Sequence, residues 1–284
     1  MPVALRIAAA ISAYPSARSD RKRGLAKLPL DDGLLRSCGT RPGRQLQHGG
    51  ALALAQALVA AAGWFAEPLW LAVAIAVQLL LGGIVAIRVI GPAHSDLGLA
   101  RYAIPATAGI AATLFGRLIP GGLSLLLVPI LAVLLWAVTY LELRLERGTG
   151  GRTIGDLMLV GILFAGAAGI LVLFGARSWP TPLILVAALT LPLALRASEA
   201  RETMGVEGVG QALLHVLVVV QVGVGAVLLS VPFSIMAALM ALAFYAWSGA
   251  VEMLRGGASG RSVAVEFGAL LLFGLVVGLI LHRP

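Results

Sequence analysis

The sequence predicts an all-α, polytopic transmembrane helical bundle of about nine spans, and three observations carry that expectation. Sixty per cent of the 284 residues are hydrophobic and only 12% are charged, with a mean hydropathy of +0.98. That is too little charge to cover the surface of a soluble domain. From residue 50 onward, apolar runs alternate with short polar connections, most of them long enough for a helix to cross about 30 Å of hydrocarbon. Eighteen of the 21 basic residues fall on one side of that alternation.

Residues 1–49 stand apart. Ile7 to Ala13 is apolar but too short to span, and the stretch SARSDRKRGLAK after it is polar and basic. A disordered basic cytoplasmic tail is expected, with Arg18, Arg21, Lys22, Arg23 and Lys27 touching anionic lipid. Part of this segment also reads as an over-extended start.

The second domain, 50–284, holds spans at 50–66, 69–87, 102–119, 121–141, 156–174, 181–196, 211–231, 233–251 and 264–281. Helices are expected because an unpaired backbone amide in lipid costs several kcal/mol. The inner connections carry Arg88, Arg101, Arg144, Arg147, Arg152, Arg196, Arg201, Arg255 and Arg261, beside nine basic residues in the tail. Only Arg117, Arg177 and Arg283 fall outside. Retention of basic loops in the cytoplasm then predicts an inner-membrane protein with its N-terminus in and its C-terminus out. Each short outer connection has proline (Pro68, Pro120, Pro180 with Pro182, Pro232), which ends a helix without needing a backbone donor. Trp64, Trp70 and Trp179 mark the outer interface, and Tyr102, Tyr140, Tyr245 and Trp247 the inner one. Trp136 lies within a span and fits that band less well.

A duplication is legible at an offset of 109. Gly151, Arg152, Thr153, Phe164 and Gly169 match Gly260, Arg261, Ser262, Phe273 and Gly278. The turn prolines match at 112. Parallel four-helix repeats at 67–175 and 179–284, preceded by one added span, are the expected 1+4+4 arrangement.

Polar residues inside spans are the candidate site. His215 lies one helical turn from Gln211 and is read as a proton relay or metal ligand or, more plainly, as a histidine bonded to a neighbouring helix. Asp156 and Glu266 each open a helix from the inside, where Thr153 with Asp156 has capping-box spacing. If both acids faced one cavity with His215, a cytoplasm-facing polar cluster would result. Glu142 and Glu252 close spans beside arginines, where surface pairing suffices. Gln56, Gln78 and Gln221 lie deeper and need interhelical partners. Gly161, Ala165 and Gly169 form a small-residue row, and Gly274 with Gly278 forms GxxxG. Both are expected to pack helices closely, so that leucine at Gly161 would destabilise the bundle. Pro105, Pro129 and Pro192 are expected to kink their spans.

No metal site or cofactor is expected. Cys38 is the only cysteine, and His48, His94 and His282 flank the membrane. Phosphate-loop, HExxH and GxSxG motifs are absent. The net charge of +8 sits in the tail and loops, so the lipid bilayer, not nucleic acid, is the expected partner. Three functional classes fit: a small-solute transporter or permease, a non-catalytic scaffold or accessory subunit, and a membrane-embedded enzyme using His215 with Asp156 or Glu266 on a lipid-like substrate.

Overall fold

The computed structural model describes residues 42–90, 98, 100–121, 125–146, 152–175, 180–201, 203 and 205–281. Residues 1–41 of the tail, with the basic residues expected to touch anionic lipid, lie outside them, as do Trp179, Cys38, His94 and His282. The helical unit begins at Pro42, inside the stretch read as tail, because proline at a helix start costs no hydrogen bond.

Among the described residues the α-helices are α1 (Pro42–Phe65), α2 (Pro68–Leu79), α3 (Ala86–Ile90), α4 (Ala103–Gly116), α5 (Val128–Glu146), α6 (Arg152–Phe174), α7 (Thr181–Glu199), α8 (Gly205–Leu228), α9 (Phe233–Arg255) and α10 (Gly260–Leu281). A π-helical turn, Leu80–Val85, joins α2 to α3 in one rod, and 3-10 turns precede α4 and α5. Among the described residues, seven helical stretches are long and apolar enough to cross a membrane, from Gln47–Phe65 through Gly260–Ile280. The apolar part of α5, Val128–Glu142, is shorter, and α4 has only 14 residues. The chain is thus an all-helical bundle of the kind that multi-pass membrane proteins build.

Turn chemistry sets several boundaries. After α8, Ser230 takes a positive φ of 52°. Its N–H donates to Val227 O, and the Val231 N–H donates to Ala226 O. Those two hydrogen bonds close the helix end, and Pro232 prevents its continuation. The end of α9 repeats the device with Gly257 at φ 84°, its N–H donating to Leu254 O and that of Ala258 to Met253 O. Ser259 then accepts from the Ser262 N–H to start α10.

Packing places α4 at the centre. Ile104 to Gly109 are all buried, and α4 meets α1, α2, α5, α6 and α7. The main pairs are α1 with α5, α6 with α9, α7 with α8, and α8 with α9. Only α9 gives α10 a substantial partner, which leaves Val265, Leu272 and Phe273 exposed as a lipid-facing surface would be. The kink expectation needs correction for two prolines: Pro105 and Pro129 sit in the first turns of α4 and α5, where proline fits without breaking a bond. Pro192 lies inside α7. Trp136 stacks on Tyr140, one turn along α5, with ring centroids 5.1 Å apart.

Candidate functional site

Because successive helices run antiparallel, the first turn of α6, the last turns of α7 and α9, and the first turns of α8 and α10 share one end of the bundle, the arginine-rich end. The connection from α7 to α8 is tied down there. Arg201 donates to Ala197 O at 2.9 Å and to Asp156 Oδ2 at 3.2 Å. Arg255 reaches Arg201 O at 3.3 Å and pairs with Glu207 at 3.5 Å. Thr203 donates to Ser198 O at 2.7 Å, its oxygen 3.2 Å from Gln211 Oε1.

Beside this knot lies a cavity of about 510 Å³ lined by Asp156, Arg201, Tyr245, Ser248, Gly249, Glu252, Met253, Glu266, Phe267 and Leu270. Three carboxylates and one guanidinium share it with two aromatic rings. Glu266 is six residues into α10, and the helix start is not where it acts. Asp156 is engaged by Arg201. The capping reading of both acids therefore gives way to a shared cavity wall, and the Thr153 side chain lies outside the described ones.

His215 is buried just behind that wall. Its Nδ1 lies 2.9 Å from Gln211 O and its Nε2 lies 3.1 Å from Ser248 Oγ. A carbonyl only accepts, so Nδ1 carries the hydrogen and Nε2 accepts a hydrogen bond from the Ser248 hydroxyl. Phe244 and Trp247 hold the ring, at centroid distances of 5.3 and 6.3 Å. The sequence favours capping for Asp156 and Glu266 and raises a shared cavity only as a condition, and it does not point to Ser248, which joins His215 to that cavity. Ser248 carries no motif. Only the 33-residue separation between two antiparallel helices at matching depth hints at the pairing.

A second polar group lies at the same end. Arg196 meets Glu142 between α7 and α5 with both side chains buried, so surface pairing is the wrong description. Glu199 and Arg101 lie within electrostatic reach of Glu142. Glu199 also accepts from the Ala100 N–H at 2.9 Å.

The glutamines divide. Gln56 donates to Pro105 O at 2.9 Å, and Gln78 donates to Gln56 O at 2.8 Å and to Thr113 Oγ1 at 3.4 Å. They are sealed in the core of α1, α2 and α4 and line none of the cavities described. Gln221 is exposed on the outer face of α8, away from the partner it was expected to need. Among the packing glycines, a Cβ at Gly169 would strike Leu114, one at Gly274 Leu242, and one at Gly278 Ile235. Gly161 departs from expectation: a Cβ there would meet nothing within 4 Å. It faces an apolar groove of about 570 Å³ between α4, α5 and α6, with Ala165 beside it.

Among the described residues, no three of His, Cys, Asp and Glu converge to hold a metal ion. No known protein family, curated protein or solved structure matches this chain.

Proposed function

We propose that the chain is a small-solute permease of the plasma membrane whose solute-binding site is the cavity between α6, α9 and α10. The observation that carries this reading is the cavity itself: about 510 Å³, with carboxylates, a guanidinium, a hydroxyl and aromatic rings converging on it. Solute sites combine apolar walls with a few placed polar groups in this way. Its location at the arginine-rich end makes it open to the cytoplasm in the proposed orientation, N-terminus in and C-terminus out, with nine spans. Anionic headgroups bind the basic tail in the same picture.

Internal symmetry supports the reading. Gly43–Arg44, Gly151–Arg152 and Gly260–Arg261 lead into or open α1, α6 and α10. The pairing of α1 with α5 has its counterpart in α6 with α9, and α2 with α4 in α7 with α8. The duplicated unit is then α1–α5 and α6–α9, with α10 as the added span, a frame shifted by one helix from the 1+4+4 reading.

The test is purified protein in proteoliposomes, offered a panel of small amines, amino acids, sugars and short-chain acids. Uptake of at least one, lost in Leu270→Trp and changed in Glu266→Gln but retained in Gly161→Leu, is expected. Absence of both uptake and ligand-induced thermal shifts across the panel leaves the scaffold reading in its place.

A further inference from the structure

We propose that Ser248 is a nucleophile activated by His215, giving the protein an acyl-transfer activity toward carboxylic esters that reach the cavity. The inference stands on the dyad's geometry, independent of the permease reading. The His215 Nδ1–H is committed to the Gln211 carbonyl at 2.9 Å, which fixes both the tautomer and the ring plane. Nε2 therefore faces Ser248 Oγ at 3.1 Å as a base. An orienting acceptor, an imidazole and a hydroxyl in that order form the working arrangement of nucleophilic serines. A main-chain carbonyl here takes the orienting place.

What separates this pair from a histidine bonded only for packing is the space in front of it. Ser248 is almost wholly buried, yet it lines the 510 Å³ cavity. Arg201 shares that cavity and supplies fixed positive charge toward an oxyanion. Tyr245, Met253, Phe267 and Leu270 offer apolar wall to an acyl chain. The shared chemistry is an ester carbonyl with an apolar acyl part, from a membrane lipid or from a soluble short-chain ester.

The step balances without further reactants than water. Ser248 Oγ bonds the acyl carbon as its proton passes to His215 Nε2. The ester C–O bond breaks, and the departing alcohol takes that proton. Water then hydrolyses the acyl-serine by the same route, releasing the acid.

The experiment treats the purified full-length protein in detergent with a fluorophosphonate, which adds to an activated serine with loss of fluoride, and maps the adduct by tandem mass spectrometry. An adduct on Ser248 is expected, absent in S248A and formed about a hundredfold more slowly in H215Q, the order of a general base's contribution. No adduct on wild-type Ser248 overturns the proposal, and so does an unchanged rate in a folded H215Q. Should H215Q fail to fold, the wild-type map decides alone. Hydrolysis of p-nitrophenyl butyrate against the palmitate in mixed micelles distinguishes the two ester sources, and hydrolysis of neither also overturns the activity. Uptake plays no part in these readouts, so the permease reading stands or falls separately.

Discussion

Arg196 meets the Oε2 of Glu142 through both Nε and Nη2, at 2.9 and 2.8 Å, bridging α7 and α5 through their side chains. The pair lies where water is largely excluded, so each charge depends on the other. Removing one partner from a buried pair costs about 3–5 kcal/mol, because the remaining charge is left uncompensated. Replacing both with apolar groups of similar volume is far milder. Arg196→Met alone should therefore lower the detergent melting temperature sharply, and Glu142→Leu with Arg196→Met should recover most of the loss. A double variant as unstable as the single one would show that the arginine acts through other partners.

The glutamine pair predicts a stability effect without a functional one. Gln56 satisfies the Pro105 carbonyl and Gln78 bridges to Gln56 O and Thr113, all within the core. Interhelical hydrogen bonds in membrane bundles contribute about 0.6–1.7 kcal/mol. Gln78→Met should destabilise by about that amount in denaturant titration and leave ligand-induced thermal shifts unchanged. A lost ligand response would bring Gln78 back to the site.

How much of this was legible follows from which physical signal each feature leaves. Helix existence and the arginine asymmetry are one-dimensional patterns, so most helices emerge near the expected runs, although α1 opens at Pro42, well before 50, and α5 at Val128, well after 121. Hydropathy puts two starts late, at 211 for α8 and 264 for α10, because Gly205 and Gly260 open their helices with polar turns that it excludes. The π-helical turn at Leu80–Val85 left no trace in the pattern. It lies where Gly82 lets the rod approach the backbone of Ala106, a contact set by tertiary packing. Asp156 and Glu266 were placed at one end by topology alone. Ser248 and the Arg196–Glu142 pair were not found, since azimuth around a helix decides them and nearly uniform apolar spans encode it weakly.

Two glycines of one row should behave oppositely. Leucine at Gly169 would drive side-chain atoms into Leu114 on α4, and overpacking of this kind costs about 1–3 kcal/mol. Leucine at Gly161 extends into an open apolar groove and also gains helix propensity over glycine. Gly169→Leu should lower the melting temperature, and Gly161→Leu should leave it unchanged or raise it. Equal losses in both would mean the groove is closed by another molecule in the membrane.

Ser230 and Gly257 occupy equivalent helix-ending positions with left-handed backbone, yet only one of them is glycine. An L-residue with a Cβ pays about 1–2 kcal/mol for that conformation, less where a polar side chain bonds locally. Ser230→Gly should raise stability by about 0.5–1 kcal/mol in denaturant titration. The converse change, Gly257→Ala, should lower it by a similar amount. A neutral result at Ser230 would indicate that its hydroxyl repays the strain, and Ser230→Ala, which keeps the strain and removes the hydroxyl, would then be the more damaging change.

Orientation is testable at the chain's end. Eighteen basic residues on one side against three on the other support the proposed threading, since one miscounted span would reverse every later connection. With nine crossings, a reporter fused after Pro284 lies opposite the N-terminus. Alkaline phosphatase fused there should be active and green fluorescent protein dark, with the reverse after Arg255. Both fusions reading in the opposite sense would overturn this threading, either by inverting the whole chain or by putting α4 or α5 on the membrane surface. The cavity between α6, α9 and α10 would then open outward, and the solute it serves would bind from the other side.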